Sequence, residues 1–177
     1  HARCGGISGC LEPGAFGTEV YILTGYFNLP KVLEITLNNG IDPRTGQKIG
    51  IETGDARAFS SYEELFAAFR RQLHWFVDVK VRGNNVIERL YADQMPAPFL
   101  SLLVEDCIAK GKDYNNGGPR YNSTYIMGVA PATCTDSLAA IKYHVFDRGS
   151  VTMEQILGAL AGNFVGYEKL RLLLWNR

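Results

Sequence analysis

The stretch that most constrains the fold begins at Ser61. Ser61-Tyr62-Glu63-Glu64 reads as a capping box, with Ser61 as the N-cap and Glu64 reaching back to it. Leu65, Phe66, Phe69, Leu73, Phe76 and Val77 then recur at helical spacing, which predicts a long amphipathic helix. The pattern weakens at Gly83-Asn84-Asn85, resumes from Val86 to Tyr91, and is broken by Met95-Pro96-Ala97-Pro98.

Residues 1–28 are glycine-rich without helical periodicity and read as loop with short extended pieces. Leu29 to Asn38 reads as a helix, with Pro30 in its first turn and Asn38-Asn39-Gly40 at its end. The turn-forming residues 41–55 read as a surface excursion. A further helix is predicted from Phe99 to about Lys110, and residues 115–131 read as a loop entering a strand. Thr135 or Asp136 opens a helix carrying Leu138, Ile141 and Val145, Thr152 with Gln155 forms a second capping box, and Tyr167 to Asn176 is helical. The outline is helix-rich with a few strands, and strands so few need partners for their edges.

Composition narrows the function. Lys plus Arg and Asp plus Glu are equal at 18 each, so no net field favours nucleic acid or an anionic membrane. No apolar run is long enough to span a bilayer, and no signal peptide is recognisable. The cysteines are Cys4, Cys10, Cys107 and Cys134; none forms a C-x-x-C pair, and three histidines leave little for a metal. Reduced thiols are expected, with Cys4, Cys107 and Cys134 as small buried residues. The chain starts at His1 and stops at Arg177 after a helix-like apolar stretch, and so reads as an internal fragment of a longer protein.

The segment "CGGISGCLEPGAFG" at 4–17 carries the chemistry. Pro13 favours an extended backbone at Glu12, and residues i and i+2 of an extended segment share a face, so Cys10 and Glu12 should sit side by side. The glycines permit close approach of backbone to a ligand. A carboxylate beside a thiol raises its pKa, which suits a hydrogen-atom donor better than a thiolate nucleophile. From spacing alone, an incidental glycine-rich turn explains the segment equally well.

Two segments carry a resemblance. "SGCLEPG" resembles the active-site cysteine loop of the glycyl radical enzymes, the pyruvate formate-lyase-like superfamily, and "KDYNNGGPRYNSTYIMGVAPATCTDSLAAIKYHVFD" resembles their later Gly-Gly-x-x-Tyr-Asn segment and the helix after it. The resemblance runs over essentially all of residues 1–177. It implies an α/β fold, part of a ten-stranded α/β barrel that holds the cysteine on an interior hairpin loop, with 1–177 as one helix-rich piece of that barrel domain. It also implies that Cys10 becomes a thiyl radical and that Glu12 is its acid–base partner. The oxidant is a protein glycyl radical installed by an iron–sulfur activase that uses S-adenosylmethionine. The C-terminal radical domain and its Arg-Val-x-Gly-Tyr motif are absent from these residues, so no cofactor resides in this segment and activity belongs to a full-length parent. That parent is expected to be a homodimer in the cytoplasm of an anaerobic bacterium, acting on a small molecule.

Pyruvate formate-lyase itself carries two adjacent cysteines, whereas Cys10 lies between Gly9 and Leu11. Cys-x-Glu is the pattern of the dehydratase, C–N or C–S lyase and decarboxylase branches. Residues 14–50 are most similar to the branch that dehydrates trans-4-hydroxy-L-proline, while Leu11 and Pro13 depart from its commoner pattern. The resemblance then implies hydrogen abstraction from C5 of the ring, loss of the C4 hydroxyl as water, and a pyrroline carboxylate product. Tyr26, Phe27 and Arg120 are candidate pocket residues; core aromatics and a loop-tying arginine are the alternatives. The competing readings are another Cys-x-Glu lyase acting on a diol, choline or a sulfonate, a hydrolase pairing Cys10 with His144, and a non-catalytic remnant.

Overall fold

The computed structural model describes residues 5–8 and 12–175. The chain divides into two compact units, one of His1–Tyr26 with Lys80–Met127 and one of Phe27–Val79 with Gly128–Arg177.

Strands β1 (Gly5–Ser8) and β2 (Glu12–Ala15) open the first unit as an antiparallel pair, with Gly5 opposite Ala15 and Ser8 opposite Glu12. A turn closed by the Thr18 N–H on the Ala15 carbonyl, with Gly17 at φ 71°, leads to β3 (Glu19–Asn28), which pairs with β4 (Tyr121–Val129). Strands β1 and β2 are the short extended pieces expected in 1–28, whereas the ten-residue β3 corrects that reading for Glu19–Asn28. Its β-branched and aromatic residues suit a strand, and its pairing partner lies about a hundred residues away, outside any local window.

The long helix α2 spans Tyr62–Gln94 without interruption, so Gly83-Asn84-Asn85 does not weaken it; Asn84 is buried in the first unit. The expected helix from Phe99 to Lys110 is instead two short ones, α3 (Pro98–Leu103) and α4 (Cys107–Lys110). The break falls at Asp106, whose φ of 73° no right-handed helix accommodates. Asp113 ties this region together, accepting from the Ala97 and Asn115 N–H groups and from the Ser101 hydroxyl. Gly118 lies so close that a Cβ there would meet the Lys112 carbonyl at 2.4 Å and Cys107 Sγ at 2.7 Å. Cys107 is buried, as is Cys134 in the second unit.

In the second unit the core forms between α1 (Leu29–Leu37), the first turns of α2, α5 (Pro131–Ile141) and α6 (Met153–Ala161). Val32, Leu33, Leu65, Phe69, Leu138, Ile141, Ile156 and Leu157 meet there, each buried side chain contributing about 1.5–3 kcal/mol. Asn28 caps α1 by accepting from the Lys31 N–H, and Thr152 with Gln155 forms the expected reciprocal box at α6. At α2 the Ser61 hydroxyl accepts from Glu64 N–H as expected, but Glu64 reaches the Ser60 N–H rather than that of Ser61. Helix α5 starts at Pro131 rather than Thr135, because proline suits the first turn, and it continues as a π-helical turn over Lys142–Asp147. The last helix is α7 (Glu168–Trp175). Residues 41–54 form a tight excursion, with Asp42 accepting from Lys31 Nζ and the Arg44 N–H.

Candidate active site

The cysteine-loop segment occupies the first unit. Glu12 opens β2 in the extended conformation that Pro13 demands. Cys10 lies outside the described residues, between the paired ends of β1 and β2 in sequence. What the structure describes is how β2 is held.

Ala15, 3% exposed, is fixed at both backbone groups. Its N–H donates to Glu19 Oε2 at 2.9 Å, and its carbonyl accepts from the Thr18 N–H at 3.1 Å and hydroxyl at 3.0 Å. Glu19 is buried at 8% exposure, an unusual place for a lone carboxylate. Its partners explain it. Tyr125 Oη donates to Glu19 Oε1 at 2.8 Å and also lies 3.1 Å from the Pro13 carbonyl, while the Ser123 side chain bonds the same carboxylate. Ser123 and Tyr125 are two apart on β4, the spacing that turns both side chains to one face of a strand. Burial raises the Glu19 pKa, but the bonds from Ser123, the Ala15 N–H and Tyr125 outweigh it and hold the carboxyl below its usual range. Burial and the Glu19 carboxylate push the Tyr125 phenol up to about 12, so it stays a donor at neutral pH.

The other expected site residues are spread over both units. Tyr26 is exposed on β3. Phe27, its neighbour, packs edge-to-face with Phe76 at 6.5 Å and adjoins the second unit's core. The Arg120 guanidinium is engaged by Asp106 at 3.1 Å and Glu105 at 2.9 Å, and both carboxylates favour its charged form. His144 is buried in the second unit, Nδ1 lying 3.1 Å from the Ser150 hydroxyl. A cavity of about 140 Å³ in the first unit is lined by Val20, Glu88, Tyr114, Asn122, Ser123 and Thr124 among others. A larger apolar groove of about 820 Å³ in the second unit, between α1, α5, α6 and α7, contains none of the expected site residues.

Glu19, Ser123 and Tyr125 were not legible as site residues. Their only local signal is the i, i+2 pair of hydroxyl residues, and Glu19 is 106 positions from Tyr125. Among the described residues, no group of three His, Cys, Asp or Glu side chains could hold a metal ion, and no helix is long and apolar enough to cross a membrane.

Comparison with known proteins fits this architecture. The chain is 58% identical over 176 residues to the trans-4-hydroxy-L-proline dehydratase of Clostridioides difficile, covering 99% of this chain and 22% of that protein. It superposes with a TM-score of 0.91, at 60% identity, on the hydroxyproline dehydratase from the same organism solved with trans-4-hydroxy-L-proline bound, over 95% of this chain and 21% of that one. The B12-independent glycerol dehydratase of Clostridium butyricum, solved with glycerol bound, gives a TM-score of 0.89 at 35% identity, over 99% of this chain and 22% of its own. The chain thus spans about a fifth of the length of these relatives. These neighbours are glycyl radical enzyme barrels, and the expected helix-rich fragment of an α/β fold is what the chain forms. Pyruvate formate lyase-like proteins match residues 1–176 as a family, and the chain belongs to that family.

Proposed function

We propose that the chain is the cysteine-loop segment of a longer glycyl radical dehydratase that removes water from trans-4-hydroxy-L-proline. The observation that carries this reading is the step in identity, from 58% with the hydroxyproline dehydratase to 35% with the glycerol dehydratase, for segments of nearly equal coverage.

In this reading Cys10 and Glu12 are the catalytic residues. A glycyl radical elsewhere in the full-length protein, installed by an S-adenosylmethionine-dependent iron–sulfur activase, supplies the oxidising equivalent that takes the hydrogen atom from Cys10. Cys10 then removes a hydrogen atom from C5 of the ring, next to nitrogen. Glu12 carries the nitrogen's proton to the C4 hydroxyl, which leaves as water, and a C5=N bond forms. Cys10 returns its hydrogen atom to C4, giving a pyrroline carboxylate. One water is lost and the cysteine ends as it began. The neutral-thiol route suits the first unit, which contains no histidine among its described residues to stabilise a thiolate.

Tyr26 is proposed as a pocket wall, because it is exposed on the strand that follows the cysteine segment. Arg120 has two carboxylates of its own, so R120A is expected to leave KM within about twofold, the small effect usual for an exposed ion pair. Tyr26→Ala is expected to raise KM, measured on the same preparation. We further propose a cytoplasmic homodimer in an anaerobic organism, since the radical chemistry requires exclusion of oxygen. The reading is tested by activating the full-length protein anaerobically and offering trans-4-hydroxy-L-proline and glycerol separately. Water loss from hydroxyproline supports it; turnover of glycerol alone overturns it.

A further inference from the structure

The structure contains a buried charge that the proposed reaction does not use. Glu19 is 8% exposed, and its carboxylate joins three segments of the first unit. Oxygen Oε2 takes the Ala15 N–H at the end of β2, and Oε1 takes the Tyr125 hydroxyl from β4. Tyr125 Oη in turn lies 3.1 Å from the carbonyl of Pro13, the residue that follows Glu12. A phenol has one proton for these two acceptors, and the shorter, charge-assisted bond to Glu19 holds it.

The consequence is mechanical. Strand β2 is four residues long and paired in register with β1, a ribbon that is marginal without other support. Its far end is secured by three bonds on Ala15, and the Tyr125 hydroxyl meets its middle at the Pro13 carbonyl. Glu12 is three residues from Ala15 on this strand, about 10 Å away at the rise of an extended chain. Hydrogen-atom transfer and proton transfer both fall off steeply with misplacement, so the strand carrying the acid–base group has to be held. We propose that Glu19 and Tyr125 are positioning residues: a carboxylate–phenol strut that fixes β2 and, through it, the placement of Glu12. This inference rests on Glu12 being the acid–base group of the proposed reaction.

Two variants and a control test it in the full-length protein. E19Q offers an amide where the Ala15 N–H and the phenol both need an acceptor, and Y125F removes the bond to Glu19 while keeping the ring. T124V alters the opposite face of the same strand, where Thr124 bonds Glu88. Before activation, amide exchange at Gly14 and Ala15 is expected to rise about tenfold in E19Q and Y125F, and not in T124V. After activation, with equal glycyl radical content by electron paramagnetic resonance, both variants should lose roughly ten- to a hundredfold in kcat with KM unchanged. The double variant should be little worse than the more severe single one, because the two residues act as one unit. Turnover is read on whichever of hydroxyproline or glycerol the wild type consumes, so a wrong substrate assignment leaves this test intact. Unchanged exchange at Ala15 in both variants overturns the strut, and raised exchange with unchanged kcat overturns its role in positioning.

Discussion

At the scale of single residues, the most informative side chain is one that bears no reacting atom. The Glu19 carboxyl is held below its usual pKa of 4.5 by the bonds it accepts, so it contributes stability that is fully present above that value. This contribution is lost as pH falls through the lower folded value. Tyr125 has the opposite sense: its raised pKa, about 12 against 10, means a contribution complete below pH 10 and lost as pH rises through the folded value. Thermal melting across pH should therefore show the wild type losing its advantage over E19Q below pH 4.5, and its advantage over Y125F above pH 10. Equal acid sensitivity of wild type and E19Q would contradict this assignment. Gly118 makes a second residue-scale case. Its missing Cβ is replaced by the Lys112 and Asp113 carbonyls and Cys107 Sγ, all within 2.7 Å of where that atom would stand. Because two of the three are backbone, G118A is expected to cost about 2 kcal/mol or more, read as a lower melting temperature.

At the scale of elements, local rules succeeded where both signals lie within one turn. Pro30 lies in the first turn of α1, and Thr152 with Gln155 starts α6; both are as the sequence implies. They failed where a distant partner decides. Strand β3 lies in a glycine-punctuated stretch and gains its structure from β4, and the candidate site followed the same division. Cys10 and Glu12 stand out by spacing, while Glu19 and Tyr125 join only after the chain has folded across 106 positions. Helix α2 was expected to weaken at Gly83, yet runs on to Gln94. A Cβ at Gly83 would meet nothing within 4 Å, so G83A should raise stability by about 0.5–1 kcal/mol, the helix propensity of alanine over glycine. A fall in melting temperature would mean that this face is covered in the full-length protein.

At the scale of the whole molecule, the chain is a family member about a fifth as long as the relatives it resembles. Its two compact units differ in character. The second is built on a helical apolar core that also buries Gln72 and His144; the first holds the β1–β2 pair, the buried Glu19 carboxylate and the turn at Gly118. Polar side chains are buried in both units, and the two that bear on the strand carrying Glu12 are Thr18 and Glu19, both bonded to Ala15. We propose that Cys10 moves the hydrogen atom in the dehydration of trans-4-hydroxy-L-proline. The most direct measurement compares wild-type and C10S full-length proteins after anaerobic activation, matched for glycyl radical content, with product followed from hydroxyproline. Turnover is expected from the wild type and none from C10S despite an equal radical signal. Turnover by C10S would contradict it.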